Sequence, residues 1–212
     1  MSDPMTDDWA AVWHRRNGSL AAILGVLARL SVVLLLSSGA FVWSSGEAAA
    51  PPPGGPFTLQ DGDGKPVTDR DFRGKYMLVY FGYTFCPDAC PTTLNEVADA
   101  LDRLGAKADQ IQAIFITVDP KRDTPEILGA YVKSFDPRIA GLTGTTAQIA
   151  VAAKSFNMFY ERRDPDDGDY VYDHTTLIYL VDPDGRFAKA LTGDAGAQQI
   201  AEALAMSMSA KR

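Results

Sequence analysis

From residue 57 onward the chain reads as an α/β domain, a mixed sheet flanked by helices, with an N-terminal β-hairpin and a single transmembrane helix before it. Three observations predict this. Short apolar, β-branched and aromatic runs alternate with segments of helical periodicity, the pattern of an α/β unit. The last such runs flank Pro183-Asp184-Gly185, a hairpin turn that adds antiparallel strands. Finally, Leu20 to Trp43 is almost wholly apolar, and about 20 such residues cross a bilayer core.

Residues 1–19 are expected in the cytoplasm, 20–43 as the anchor, 44–56 as a linker and 57–212 as the globular domain. His14, Arg15 and Arg16 precede the apolar stretch and no Lys or Arg follows it until Lys65, so positive charge holds the N-terminus inside and sends the domain outward. Arg29 interrupts the span at a cost of about 3 kcal/mol, which snorkelling reduces. A cleaved signal peptide, with its apolar region at 30–36 and small residues at 38–40, is the competing reading. Asp3, Asp7 and Asp8 argue against an organellar transit peptide. The expected location is therefore a bacterial inner membrane, single-pass, with the domain in the periplasm. Residues 48–56, rich in Ala, Pro and Gly, space it from the membrane.

In order, Phe57 to Gln60 and Val67-Thr68 flank an Asp-Gly-Asp-Gly turn and form the hairpin. Tyr76 to Gly82 is a strand buried on both faces. Leu94, Val97, Leu101 and Leu104 recur at helical spacing, with Gly105 as the stop. Ile111 to Val118 is the next strand, followed by helices over 125–135 and 146–156. Leu177 to Val181 and Arg186 to Leu191 form the closing hairpin, and 195–206 the last helix. The charged segment 162–169 reads as a solvated loop that shifts when a metal binds nearby. Met206 and Met208 finish a helix face.

The chain of 212 residues carries a formal charge of −7, which excludes nucleic acid, whose phosphates need a basic footprint. It has two cysteines and two histidines. Cys86-Pro87-Asp88-Ala89-Cys90 joins a strand end to a helix start, where open α/β sheets place ligands. A residue before proline avoids the α region, so both thiols are expected on extended backbone. Pro91 suits a first helical position and Thr93 with Glu96 has capping-box spacing. Cys90 then sits at a positive helix end that favours its thiolate. Two close thiolates suit Cu(I), and they equally suit disulfide exchange. His14 precedes the apolar stretch, which leaves His174 as the imidazole of the globular part.

Three stretches carry a family resemblance: Phe81 to Leu94 around the cysteines, Val118-Asp119-Pro120-Lys121-Arg122-Asp123-Thr124-Pro125, and Asp173-His174-Thr175. Together they resemble the Sco/SenC family of copper chaperones over nearly the whole globular part. The resemblance implies a thioredoxin-like fold, copper as Cu(I) or Cu(II) on Cys86, Cys90 and His174, and assembly of the binuclear copper centre of cytochrome c oxidase. Its implied partners are the copper-centre subunit of that oxidase, the membrane, and other copper chaperones or thiol reductants. In a thioredoxin-like sheet the start of the strand at Leu177 lies beside the cysteine loop. There an oxidoreductase carries proline, and this chain carries His174-Thr175-Thr176, which favours a metal carrier over an enzyme. A thiol-disulfide oxidoreductase that reduces a client's copper-ligand cysteines is the alternative, and a redox or copper sensor a third reading. Cys86 and Cys90 also form the expected redox disulfide. Asp88, Asp119, Asp123 and Asp173 are candidates for supporting the ligands or meeting a partner. Turn-shaping and helix capping is the plainer role for Asp119 and Asp123, and Asp173 could hydrogen-bond His174.

Overall fold

The structure, a computed structural model, describes residues 52–165 and 168–210. The expected membrane span at 20–43 lies outside them. Among the described residues no helix is long and apolar enough to cross a membrane.

The strands are β1 (Thr58–Gln60), β2 (Pro66–Thr68), β3 (Tyr76–Gly82), β4 (Ile111–Thr117), β5 (Ile139–Leu142), β6 (Tyr160–Arg163), β7 (Val171–His174), β8 (Leu177–Val181) and β9 (Phe187–Thr192). The α-helices are α1 (Ala89–Leu104), α2 (Pro125–Lys133), α3 (Thr146–Ser155) and α4 (Ala197–Ala210). The central sheet runs β5-β4-β3-β8-β9. β3, β4 and β5 are parallel, whereas β8 and β9 join antiparallel. Both parallel crossovers step in the same direction, so α1 and α2 fall on one face of the sheet.

Alternation along the strands sorts the core into two layers. Tyr76, Leu78 and Tyr80 of β3 pack with Leu94 and Leu101 of α1 and Ile200 and Leu204 of α4. Met77, Val79 and Phe81 meet Ile149 of α3, Phe156 and the N-terminal hairpin residues Phe57 and Leu59. Fully burying a side chain of this size contributes about 1.5–3 kcal/mol. Every residue of β3 is buried, as its continuous apolar run requires.

Three sequence expectations are corrected. α1 begins at Ala89, with Asp88 as its N-cap residue, so Cys90 lies in the first helical turn and not on extended backbone. Pro91 is tolerated there because first-turn amides have no intrahelical acceptor. Thr93 and Glu96 form no capping box: the Thr93 hydroxyl lies between the Ala89 and Gly193 carbonyls, 2.9 and 2.8 Å away, with one proton to donate, and Glu96 accepts from the Ala197 amide at 2.6 Å, serving α4 instead. The charged segment is a loop only in part: Arg162 and Arg163 belong to β6, and its other described residues connect β6 to β7.

Candidate metal centre

Pairing Tyr80 with Ile178 in the antiparallel β3–β8 ladder sets the start of β8 beside the end of β3. The cysteine loop leaves that same end of β3, so topology alone brings His174 to the cysteines. The ligand atoms of Cys86, Cys90 and His174 all lie within 4.8 Å of one another. Cys90 Sγ is 3.8 Å from His174 Nε2. His174 Nδ1 lies 3.1 Å from the Thr175 carbonyl oxygen, and donating a proton there leaves Nε2 with its lone pair toward the sulfurs. Tyr80 and Tyr83 flank the imidazole edge-on, with centroids at 6.3 and 6.1 Å.

The cysteines are free thiols in different environments. Cys90 is buried and Cys86 half-buried. The Cys90 amide, one of the unpaired first-turn donors of α1, points at Cys86 Sγ from 3.4 Å. The helix end therefore serves Cys86 and not, as expected, Cys90. The hydrogen bond from the Cys90 thiol, followed by His174 and the amides of Cys90 and Asp88, outweighs partial burial and holds Cys86 at about 4. The same contact with Cys86, then burial, pushes Cys90 well above the ordinary thiol range. The pair is thus one thiolate and one thiol sharing a proton.

Gly82 makes room for this arrangement. A Cβ on it would stand 2.6 Å from Cys90 Sγ and 2.8 Å from the Phe115 ring. Alongside, Tyr80, Asp88, Thr93, Thr176, Leu177 and Gly193 line a groove of about 550 Å³.

Of the acidic candidates, Asp123 is fully buried and accepts from the Thr84 amide at 3.1 Å and from the Thr84 and Thr117 hydroxyls at 2.5 Å. It ties the cysteine loop to the end of β4, while the cap of α2 is Thr124. Asp119, also fully buried, pairs with Arg122 and accepts from the Tyr170 hydroxyl at 3.0 Å. Asp88 is exposed on the groove. Asp173 faces away from His174 by strand alternation and pairs with Arg163 at 2.5 Å. The Thr175 carbonyl holds the place beside the imidazole that Asp173 was expected to take. Met206 and Met208 lie toward the far end of the sheet, where the neighbouring Ser207 carbonyl accepts from Tyr76 at the start of β3. Sequence reasoning missed Tyr83, Thr84 and Arg122 as parts of the site, although all three fall inside the stretches that carry the resemblance.

A thioredoxin-like sheet with two cysteines and a histidine converging at a strand-to-helix switch defines a class of protein: a thiolate–imidazole domain suited to a soft metal ion or to thiol exchange. Residues 45–209 match the SCO1/SenC family, and the chain belongs to that family. The SCO2-like protein of Rickettsia prowazekii is 44% identical over 151 residues, which span 70% of this chain and 74% of that protein. The mitochondrial SCO2 homologue of Mus musculus is 42% identical over 153 residues, 71% of this chain but only 60% of the mouse protein. Among solved structures, Bradyrhizobium japonicum ScoI with copper bound is 46% identical with a TM-score of 0.67, covering 73% of this chain and 98% of that one. BsSco, in which a disulfide switch was identified and which is a member of the Sco family of cytochrome c oxidase assembly proteins, is 28% identical with a TM-score of 0.59, over 73% and 92%.

Proposed function

We propose that this protein is a copper metallochaperone that binds copper through Cys86, Cys90 and His174 and delivers it to the copper-centre subunit of cytochrome c oxidase. The observation that carries the reading is the convergence of the three donor atoms within 4.8 Å in a chain 46% identical to a ScoI structure with copper bound. Two sulfurs and one nitrogen match the taste of Cu(I) for soft ligands, and the imidazole extends the site to Cu(II). Copper is cargo here, so the site has to release as well as bind. Cys86, only partly buried, is the sulfur open to attack by an incoming ligand. An anchor at residues 20–43 in a bacterial inner membrane, holding the domain in the periplasm, would put the site on the side from which the oxidase copper centre is reached.

Titrating the full chain with Cu(I) and Cu(II), beside His174→Ala and the double variant Cys86→Ala/Cys90→Ala, tests this. The double variant should lose both ions, and His174→Ala should lose Cu(II) affinity most. Unchanged affinity for both ions in His174→Ala, with ready disulfide exchange by the wild type, would move the assignment to the alternative. That alternative, a thiol-disulfide oxidoreductase acting on a client's copper-ligand cysteines, is favoured by one feature: a low-pKa, half-exposed Cys86 thiolate next to a second thiol.

A further inference from the structure

The hairpin that carries His174 is weakly held by its own backbone. Among the described residues β6 and β7 pair only with each other, three of the four β6 residues are exposed, and an isolated two-stranded ribbon is marginal in water. Beyond the chain connection to β8 and the Thr175 carbonyl, side-chain contact with the rest of the domain helps to fix the imidazole. Tyr172 and His174 share one face of β7, and Tyr170, the residue before the strand, packs edge-on against Tyr172 with centroids 5.9 Å apart. Tyr83 covers its His174 end, with ring centroids 6.1 Å from His174 and 5.8 Å from Tyr172.

Arg122 closes the other end. Its guanidinium lies 3.7 Å from the Tyr170 centroid and 4.5 Å from that of Phe85, the residue before Cys86. Nε pairs with buried Asp119 and Nη1 reaches Asp169 at 3.1 Å. Asp119 in turn accepts from the Tyr170 hydroxyl. One planar cation thus touches the first cysteine's neighbour, the loop after β4 and the residues leading into the strand that ends in His174. Its Nη2 is buried without a hydrogen-bond partner among the described residues.

We propose that Arg122 is a positioning residue that clamps the β6–β7 hairpin to the cysteine loop and so sets His174 over the two sulfurs. This rests on the reading of His174 as a copper ligand. The clamp acts by stacking as well as charge, so lysine cannot replace it.

The test compares the full chain with Arg122→Gln, Arg122→Lys and Tyr170→Leu. The last variant removes the hairpin side of the stack without leaving Asp119 unpaired, which guards against simple unfolding. In metal-free protein, amide exchange at residues 160–163 and 171–174 should speed up about tenfold or more in all three, with β3 and β4 unchanged. With Cu(II), affinity should fall about 10- to 100-fold and the nitrogen coupling in the electron paramagnetic resonance spectrum should weaken, while Cu(I) affinity changes far less. Adding Arg122→Gln to His174→Ala should cost no further Cu(II) affinity. Unchanged hairpin exchange and unchanged Cu(II) affinity in Tyr170→Leu, or full rescue by lysine, would overturn the proposal. Faster hairpin exchange in a chain whose Cu(II) affinity ignores His174→Ala would keep the clamp and reject the ligand assignment.

Discussion

Cys86 in the loop and Cys90 in the first turn of α1 divide their work. Cys86 is a ready thiolate, because the Cys90 thiol, the imidazole and two amides all stabilise its charge. Its folded pKa lies below the ordinary value near 8.5, so the thiolate persists from that value down to about 4 and is lost below it. Alkylation by iodoacetamide should accordingly be confined to Cys86 at pH 6 and slow only as pH falls through about 4. Cys90 is displaced upward and must give up its proton when copper binds. At about pH 8, above the ordinary imidazole range, copper binding should therefore release close to one proton, measurable by calorimetry in buffers of differing ionisation enthalpy. Two neighbours set the geometry. Gly82→Ala would drive a methyl into Cys90 Sγ and Phe115 and should cost about 1–3 kcal/mol in denaturant unfolding. Asp123→Ala would leave the Thr84 and Thr117 donors unpaired, for a loss of about 1–3 kcal/mol and a looser cysteine loop.

At the level of elements, β3 and α1 hold the cysteines rigidly and the β6–β7 hairpin brings the histidine in on a softer arm. Exchange at 160–163 and 171–174 should slow when copper is added and stay constant in β3. No change there would remove the hairpin from any role in metal binding. What the sequence revealed follows this division. β3 and β8 were legible to the residue as continuous apolar runs, and α1 as a periodic face closed by Gly105, because burial dictates those residues. The hairpin read as a loop, since Glu161, Arg162, Arg163 and Asp173 are solvated and carry no alternation of apolar side chains. β5 went unread for a related reason: four residues at a sheet edge, Ile139–Leu142, give too short a pattern. Glu96 shows a third kind of miss. Its spacing from Thr93 suggested a local cap, but its partner is the Ala197 amide, 101 positions away. Glu96→Ala should thus destabilise the α4 start by about 1 kcal/mol.

For the whole molecule, topology brings the three candidate donors together: β8 runs antiparallel to β3, so His174, at the end of β7 and three residues before β8, meets the loop leaving β3. Composition limited the candidate donors to two cysteines in all and one histidine in the globular part, and the family resemblance grouped them as a ligand set. How the two thiols differ was not, since it depends on which sulfur the first-turn amide of α1 faces. X-ray absorption of the copper(I)-loaded full chain tests the central claim most directly. Two sulfur scatterers and one nitrogen are predicted, with the nitrogen lost in His174→Ala. A shell of sulfur alone in the wild type, unchanged by that substitution, would contradict it.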